Sequence, residues 1–218
     1  MMIQINNLIK NYDGGLVRAL QGVSLEARRG EIVSITGPSG SGKSTLLNMI
    51  GAIDAPTSGE IIIDGKSIER HKPLSLYRAR YIGFVFQFHH LLPHLSLQEN
   101  VEIPMFAFKN NKRKRREKAR SLLEQMQLGH RLNFSPTKVS GGERQRAAIA
   151  RALANDPKII LADEPTGAVD TETGTRILQF LIDHCRDNGV TMLIATHNQD
   201  IVAMTERCLR MKNGAMED

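Results

Sequence analysis

The residues Gly37-Pro38-Ser39-Gly40-Ser41-Gly42-Lys43-Ser44 read G-x-x-x-x-G-K-S, the pattern of a phosphate-binding loop. A triphosphate is a dense anion. Backbone N–H groups hold it only where side chains leave room, and Gly40 and Gly42 are expected to leave it. Thr45 to Ile50 behind the loop should be helical, which turns the positive end of a helix dipole and its first N–H groups toward the phosphates. Lys43 supplies a mobile point charge for the β and γ phosphates, and the Ser44 hydroxyl is a ligand for magnesium. The β-branched run Ile32 to Thr36 lies just before the loop, so strand, loop and helix come in the required order.

Other polar residues stand where apolar runs stop. Ile82 to Phe86 has the character of a central strand and ends at Gln87, whose amide is placed to reach a metal ion or an attacking water. Lys158 to Ala162 delivers Asp163 and Glu164. Their side chains should point to opposite sides of an extended backbone, giving a metal-facing Asp163 and a water-facing Glu164. Asp170 follows the turn Pro165-Thr166-Gly167, and the strand Thr191 to Thr196 ends in His197, at the edge where open α/β sheets place ligands. Ser140, Gly141, Gly142 and Glu143 open a helix that runs on through Ala154, a second anion-binding terminus. A domain with one phosphate loop has no phosphate of its own for that terminus, so it requires one from elsewhere. Tyr12, expected in a loop between two strands, offers a ring face on which adenine can stack. His89, His90 and His94 have no carboxylate at ligand spacing, and no metal site is expected there.

The elements that must hold these residues can be read from hydrophobic period. Met2 to Lys10 and Leu20 to Ala27 alternate as strands of a small antiparallel sheet, and Glu60 to Gly65 is a further strand after the turn Pro56 to Gly59. From residue 88 to about 140 the chain turns helical, with Lys112 to Met126 its longest periodic piece and Phe134 to Thr137 a loop. Asp156-Pro157 ends the next helix, and Leu209 to Met216 with Asn213-Gly214 reads as a hairpin. The fold class is therefore α/β: a P-loop core with an antiparallel β subdomain and an inserted α-helical subdomain. One domain of 218 residues is expected, with about 1–87 and 155–218 forming the core and about 88–154 the helical part.

Composition narrows the class. Hydrophobic content of 41% and charged content of 24% are ordinary for a globular protein, and no apolar run approaches bilayer length. Met1 to Asp13 lacks the apolar block of a signal peptide, so a cytosolic location is expected. Cys185 continues the stripe Ile177, Leu178, Leu181, Ile182, as a reduced core thiol would, and Cys208 shares no metal or redox spacing with it. The net charge of +6 is local: Lys109 to Arg120 holds eight basic residues and one acid, leaving 21 basic and 22 acidic residues elsewhere. Such a run is either a solvated helix face or a contact for anionic lipid headgroups, and it does not point to nucleic acid.

With the phosphate loop, Gln87, Ser140 to Glu143, Asp163-Glu164, Asp170 and His197 in this order, the chain resembles the nucleotide-binding subunit of an ABC transporter. The resemblance implies a RecA-like P-loop NTPase core and an ATPase that uses ATP and Mg2+. It also implies that Tyr12 stacks on adenine and that Gly37 to Thr45 bind the nucleotide. Ser44, Gln87 and Asp163 serve the metal. Glu164, His197 and Gln87 are catalytic, and Asp170 is the dimer-contacting D-loop residue. Ser140, Gly141, Gly142 and Glu143 form the signature, which acts on the ATP of a second copy in a head-to-tail homodimer. The partners implied are integral membrane permease subunits, which would hold the chain at the inner face of the cell membrane.

Gln87-Phe88, Leu91-Leu92-Pro93, Glu99-Asn100-Val101 and Ala162 to Gly167 are similar to the LolD, MacB and FtsE branch, which implies export, lipoprotein release or mechanotransmission, with an FtsE-like role in cell division as the alternative. Val139 stands where the signature usually has Leu, and Asn198 where Asp commonly follows the histidine; neither removes a catalytic group. A chromosome-organising ATPase with the same motifs would need a coiled coil between loop and signature, and Gly42 to Ser140 holds no heptad run.

Overall fold

The computed structural model describes residues 1–108, 111–167, 169 and 171–217. Asp170 and Lys109 lie outside the described residues. In chain order the first elements are β1 (Ile3–Tyr12), β2 (Val17–Ala27), β3 (Ile32–Thr36), α1 (Lys43–Ile50), β4 (Ser58–Ile63) and β5 (Lys66–Ser67). Then come α2 (Leu74–Tyr81), β6 (Ile82–Phe86), α3 (Leu97–Glu102), α4 (Lys112–Gln125) and α5 (Gly141–Ala152). The chain continues with β7 (Ile159–Asp163), α6 (Thr171–Asn188), β8 (Thr191–Ala195), α7 (Gln199–Ala203), β9 (Arg207–Lys212) and β10 (Ala215–Glu217).

Two sheets result. The larger runs β10-β9-β3-β8-β7-β6, with every pair parallel except β9 and the antiparallel edge strand β10. Its central strands are apolar without interruption because both faces are covered. Period two still sorts their side chains. Ile160, Ala162, Met192 and Ile194 enter one core, whereas Ile159, Leu161, Leu193 and Ala195 enter the other. The smaller sheet, β2-β1-β4-β5, is antiparallel and closes the second core over α1.

The first core takes in Leu97, Val101 and Leu123 of the helical segment together with Leu178, Leu181 and Ile182 of α6. Cys185 is fully buried there, and burial pushes its thiol up to about 12, so it stays a protonated apolar group. The expected loop Phe134 to Thr137 runs into a 3-10 turn over Pro136–Lys138. Tyr12 is the last residue of β1 rather than a loop residue, because pairing of β1 with β2 continues to Tyr12 and Val17.

The basic stretch is a helix face whose charge is largely answered from within the chain. Arg113 pairs with Glu117, Arg120 with Glu124 and Lys118 with Asp156. Arg115 is mostly covered, 3.9 Å from Glu102 and with its guanidinium 4.3 Å from the Phe106 ring centroid. Of the two readings of this run, these pairs favour a solvated face.

Candidate active site

The parallel strands β3, β8, β7 and β6 are neighbours, and the loops leaving their carboxyl ends carry the phosphate loop, His197, Asp163-Glu164 and Gln87 in turn. All of them line one open cavity of about 730 Å³ at that edge of the sheet. This is where open α/β sheets bind ligands, since the strand ends and following helix starts converge there.

The phosphate loop is held from behind by the β9–β10 hairpin. Gly37 has φ 148°, and a Cβ there would lie 2.1 Å from the Met211 carbonyl oxygen. Gly214 N–H donates to the Ser41 carbonyl at 3.0 Å, which fixes the loop's far side. The expectation that Gly40 and Gly42 both leave room for phosphate divides. Gly40, at φ 76°, faces open space, whereas Gly42, at φ 102°, is required by the Ala19 carbonyl, 2.6 Å from where its Cβ would be. Lys43 is not the mobile charge expected: it is buried, and its ammonium donates to the Gly37 and Pro38 carbonyls at 2.8 and 3.0 Å. Those bonds hold a positive group in the cavity wall.

The paired acids depart from the expected opposition. Asp163 ends β7, but Glu164 has φ 45°, so the backbone is no longer extended and both side chains line the same cavity. Glu164 N–H donates to the Ala195 carbonyl at 2.9 Å, which anchors this turn to β8. Division of labour therefore comes from their partners. The Ser44 hydroxyl and the Lys43 charge favour the ionised form of Asp163, while His197 Nδ1 lies 2.8 Å from Glu164 Oε1. Burial raises the Asp163 pKa, Glu164 adds to the rise, and the nearby Ser44 hydroxyl and Lys43 charge oppose it. The Gln87 amide packs beside the same turn, where a Cβ on Gly167 would meet its Nε2 at 2.9 Å.

Ser44, Asp163 and Gln87 all line this cavity, and their side-chain oxygens are hard ligands of the kind suited to a small divalent cation. Among the described residues no group of three or more His, Cys, Asp or Glu is arranged to hold a metal. An ion here would draw further ligands from phosphate oxygens and water, the usual habit of magnesium.

At the other end of the cavity Tyr12 is joined by Val17, Arg18 and Ala19 of β2, which sequence reasoning missed. Their only signal was position: β2 follows Tyr12 after a short turn and returns along it. The Tyr12 hydroxyl donates to Asp54 at 3.0 Å, and burial is the main cause that raises its pKa.

Ser140, Gly141, Gly142 and Glu143 are absent from the lining of this cavity. Ser140 caps α5: its Oγ accepts from Glu143 N–H at 3.2 Å, and its own N–H donates to Glu143 Oε2 at 2.7 Å. The expected second anion terminus thus carries the chain's own carboxylate on its cap residue. Bonding to the Ser140 backbone holds the Glu143 pKa below the usual range.

A parallel sheet bearing a phosphate loop, paired acids, an amide and a histidine on one edge defines a P-loop nucleoside triphosphatase. The model of the ABC transporter family matches residues 20–167. The chain is 45% identical over 207 residues to the lipoprotein-releasing system ATP-binding protein LolD 2 of Caulobacter vibrioides, covering 94% of this chain and 91% of that one. It is 43% identical over 212 residues to LolD of Aquifex aeolicus, covering 96% and 92%. Among solved structures, a dimeric post-hydrolysis state of the ATP-binding cassette MJ0796, bound to ADP and Pi, superimposes with a TM-score of 0.92 at 42% identity, covering 100% of this chain and 97% of that one. The chain belongs to the ABC transporter family, as an ATP-binding and ATP-hydrolysing cassette. Among the described residues no helix is long and apolar enough to cross a membrane.

Proposed function

We propose that two copies of this chain close head to tail around two Mg-ATP and that the closing and reopening drive membrane partner subunits in lipoprotein release or a related export task. The observation that carries this reading is the separation of the two anion-binding elements: Ser140 to Glu143 do not line the cavity that holds Lys43 and Glu164. A second copy supplies the missing terminus. Its Gly141 and Gly142 N–H groups and the end of its α5 dipole then face the γ-phosphate.

In this reading the loop from Gly37 to Thr45 binds the triphosphate, and Ser44, Asp163 and Gln87 hold magnesium, which neutralises phosphate charge when bound. Glu164 takes up the proton of the attacking water, and His197, at hydrogen-bond distance, orients the carboxylate beside the γ-phosphate. Asp170 makes the contact between copies. Residues 88–154, which carry the signature, form a helical unit set against a core of 1–87 and 155–218. An open trough of about 450 Å³ bridges the two parts, lined by Ile53, Phe84 and Phe86 on one side and Ile103 and Ala107 on the other. Phe86 adjoins Gln87, so a short amphipathic segment of a membrane subunit seated in this trough would report to the metal side of the cavity. Such a partner places the chain at the cytoplasmic face of the membrane.

Ser140→Asp tests the composite site. Aspartate caps a helix as well as serine does, so α5 persists. Its negative charge, however, opposes the phosphate of the other copy. ATP affinity of the single chain should stay unchanged while steady-state hydrolysis falls about a hundredfold. Wild-type turnover in this variant would contradict the head-to-tail arrangement.

A further inference from the structure

Tyr12 is held from two sides by groups with no part in phosphate chemistry. Its hydroxyl donates to Asp54 Oδ2 at 3.0 Å. The Lys10 ammonium sits 2.9 Å from the same oxygen and 4.6 Å from the centroid of the Tyr12 ring, over one face. Lys10 is itself pinned, donating to the Ala55 carbonyl at 2.8 Å. Asp54 accepts from Ala55 N–H at 2.7 Å. The loop bearing Asp54 is sewn to β1 by Thr57 N–H donating to the Ile9 carbonyl at 2.8 Å and by Asn11 N–H donating to Thr57 Oγ1 at 3.0 Å.

These contacts have two physical consequences. A tyrosine at a strand end can turn about its first two side-chain torsions, and ordering it on binding costs affinity. With the ring fixed at both its hydroxyl and one face, that cost is met in the free protein. The ammonium also covers one π face through a cation–π contact, and an apolar ring cannot stack through it. Only the opposite face is left for a flat ligand.

We infer that Lys10 and Asp54 are positioning residues for the nucleobase, clamping the Tyr12 ring and directing the base onto the face opposite Lys10. This rests on Tyr12 being the base platform in the function proposed above. Stacking reads no base edges, so the clamp serves ATP and GTP alike and is indifferent to the triphosphate.

The test compares Asp54→Ala, Asp54→Asn and Tyr12→Ala by titration with ATP, GTP and inorganic tripolyphosphate. Asp54→Ala should raise the Kd of both nucleotides about fivefold, leave that of tripolyphosphate unchanged, and raise the KM for ATP with kcat unchanged. Asp54→Asn, which keeps an acceptor for the Tyr12 hydroxyl, should recover most of the loss. Equal weakening of tripolyphosphate and ATP by Asp54→Ala would overturn the inference, since it marks a disturbed phosphate loop. Wild-type ATP affinity in Asp54→Ala alongside weakened binding in Tyr12→Ala would overturn the clamp and leave the platform standing. Unchanged binding in Tyr12→Ala would remove both.

Discussion

Glu164→Gln should lower kcat about a thousandfold while ATP affinity stays at the wild-type value. The substitution is isosteric, and its remaining carbonyl oxygen can still accept from His197 Nδ1, now 2.8 Å from Glu164 Oε1. The turn also survives, because it is anchored by the Glu164 backbone N–H on Ala195 rather than by the side chain. Only the capacity to take a proton from water is lost. A variant that binds but cannot hydrolyse should accumulate as a closed pair when ATP is added, visible as a doubling of mass in size-exclusion chromatography with light scattering. Wild-type turnover would move the catalytic base elsewhere.

Lys43→Ala should weaken ATP binding about a hundredfold, read by titration with a fluorescent ATP analogue. Two effects add. The variant loses charge-assisted bonds from the ammonium to the phosphates, each stronger than a neutral hydrogen bond. It also leaves the Gly37 and Pro38 carbonyls without the donor that now ties them at 2.8 and 3.0 Å, so the loop loses its set shape. Hydrolysis should fall with binding. Unchanged affinity would mean that backbone N–H groups alone hold the triphosphate.

The contrast between what the sequence reveals here and what it hides follows from range. The phosphate loop and the strands before Gln87, Glu164 and His197 are local patterns, and their period and endpoints survive in the fold. α2 escaped because Leu74 to Tyr81 buries only Tyr77 and so shows no apolar stripe. The shared orientation of Asp163 and Glu164 depends on a single positive φ, which alternation along a strand cannot foresee. Asp54 was invisible because its partners lie 42 and 44 positions away on β1, and nothing in the loop after α1 marks it. The basic run from Lys109 to Arg120 left two readings open in the sequence because three of its partners, Glu102, Glu124 and Asp156, lie outside it.

Hydrolysis per chain, measured over a wide range of protein concentration at saturating Mg-ATP, bears most directly on whether one chain holds a whole site or half of two. If the phosphate loop of one copy needs Ser140 of another, the rate per chain should fall in proportion to concentration at the dilute end and level off at the concentrated end. A rate per chain that stays constant down to the lowest concentration would show that a single copy is sufficient.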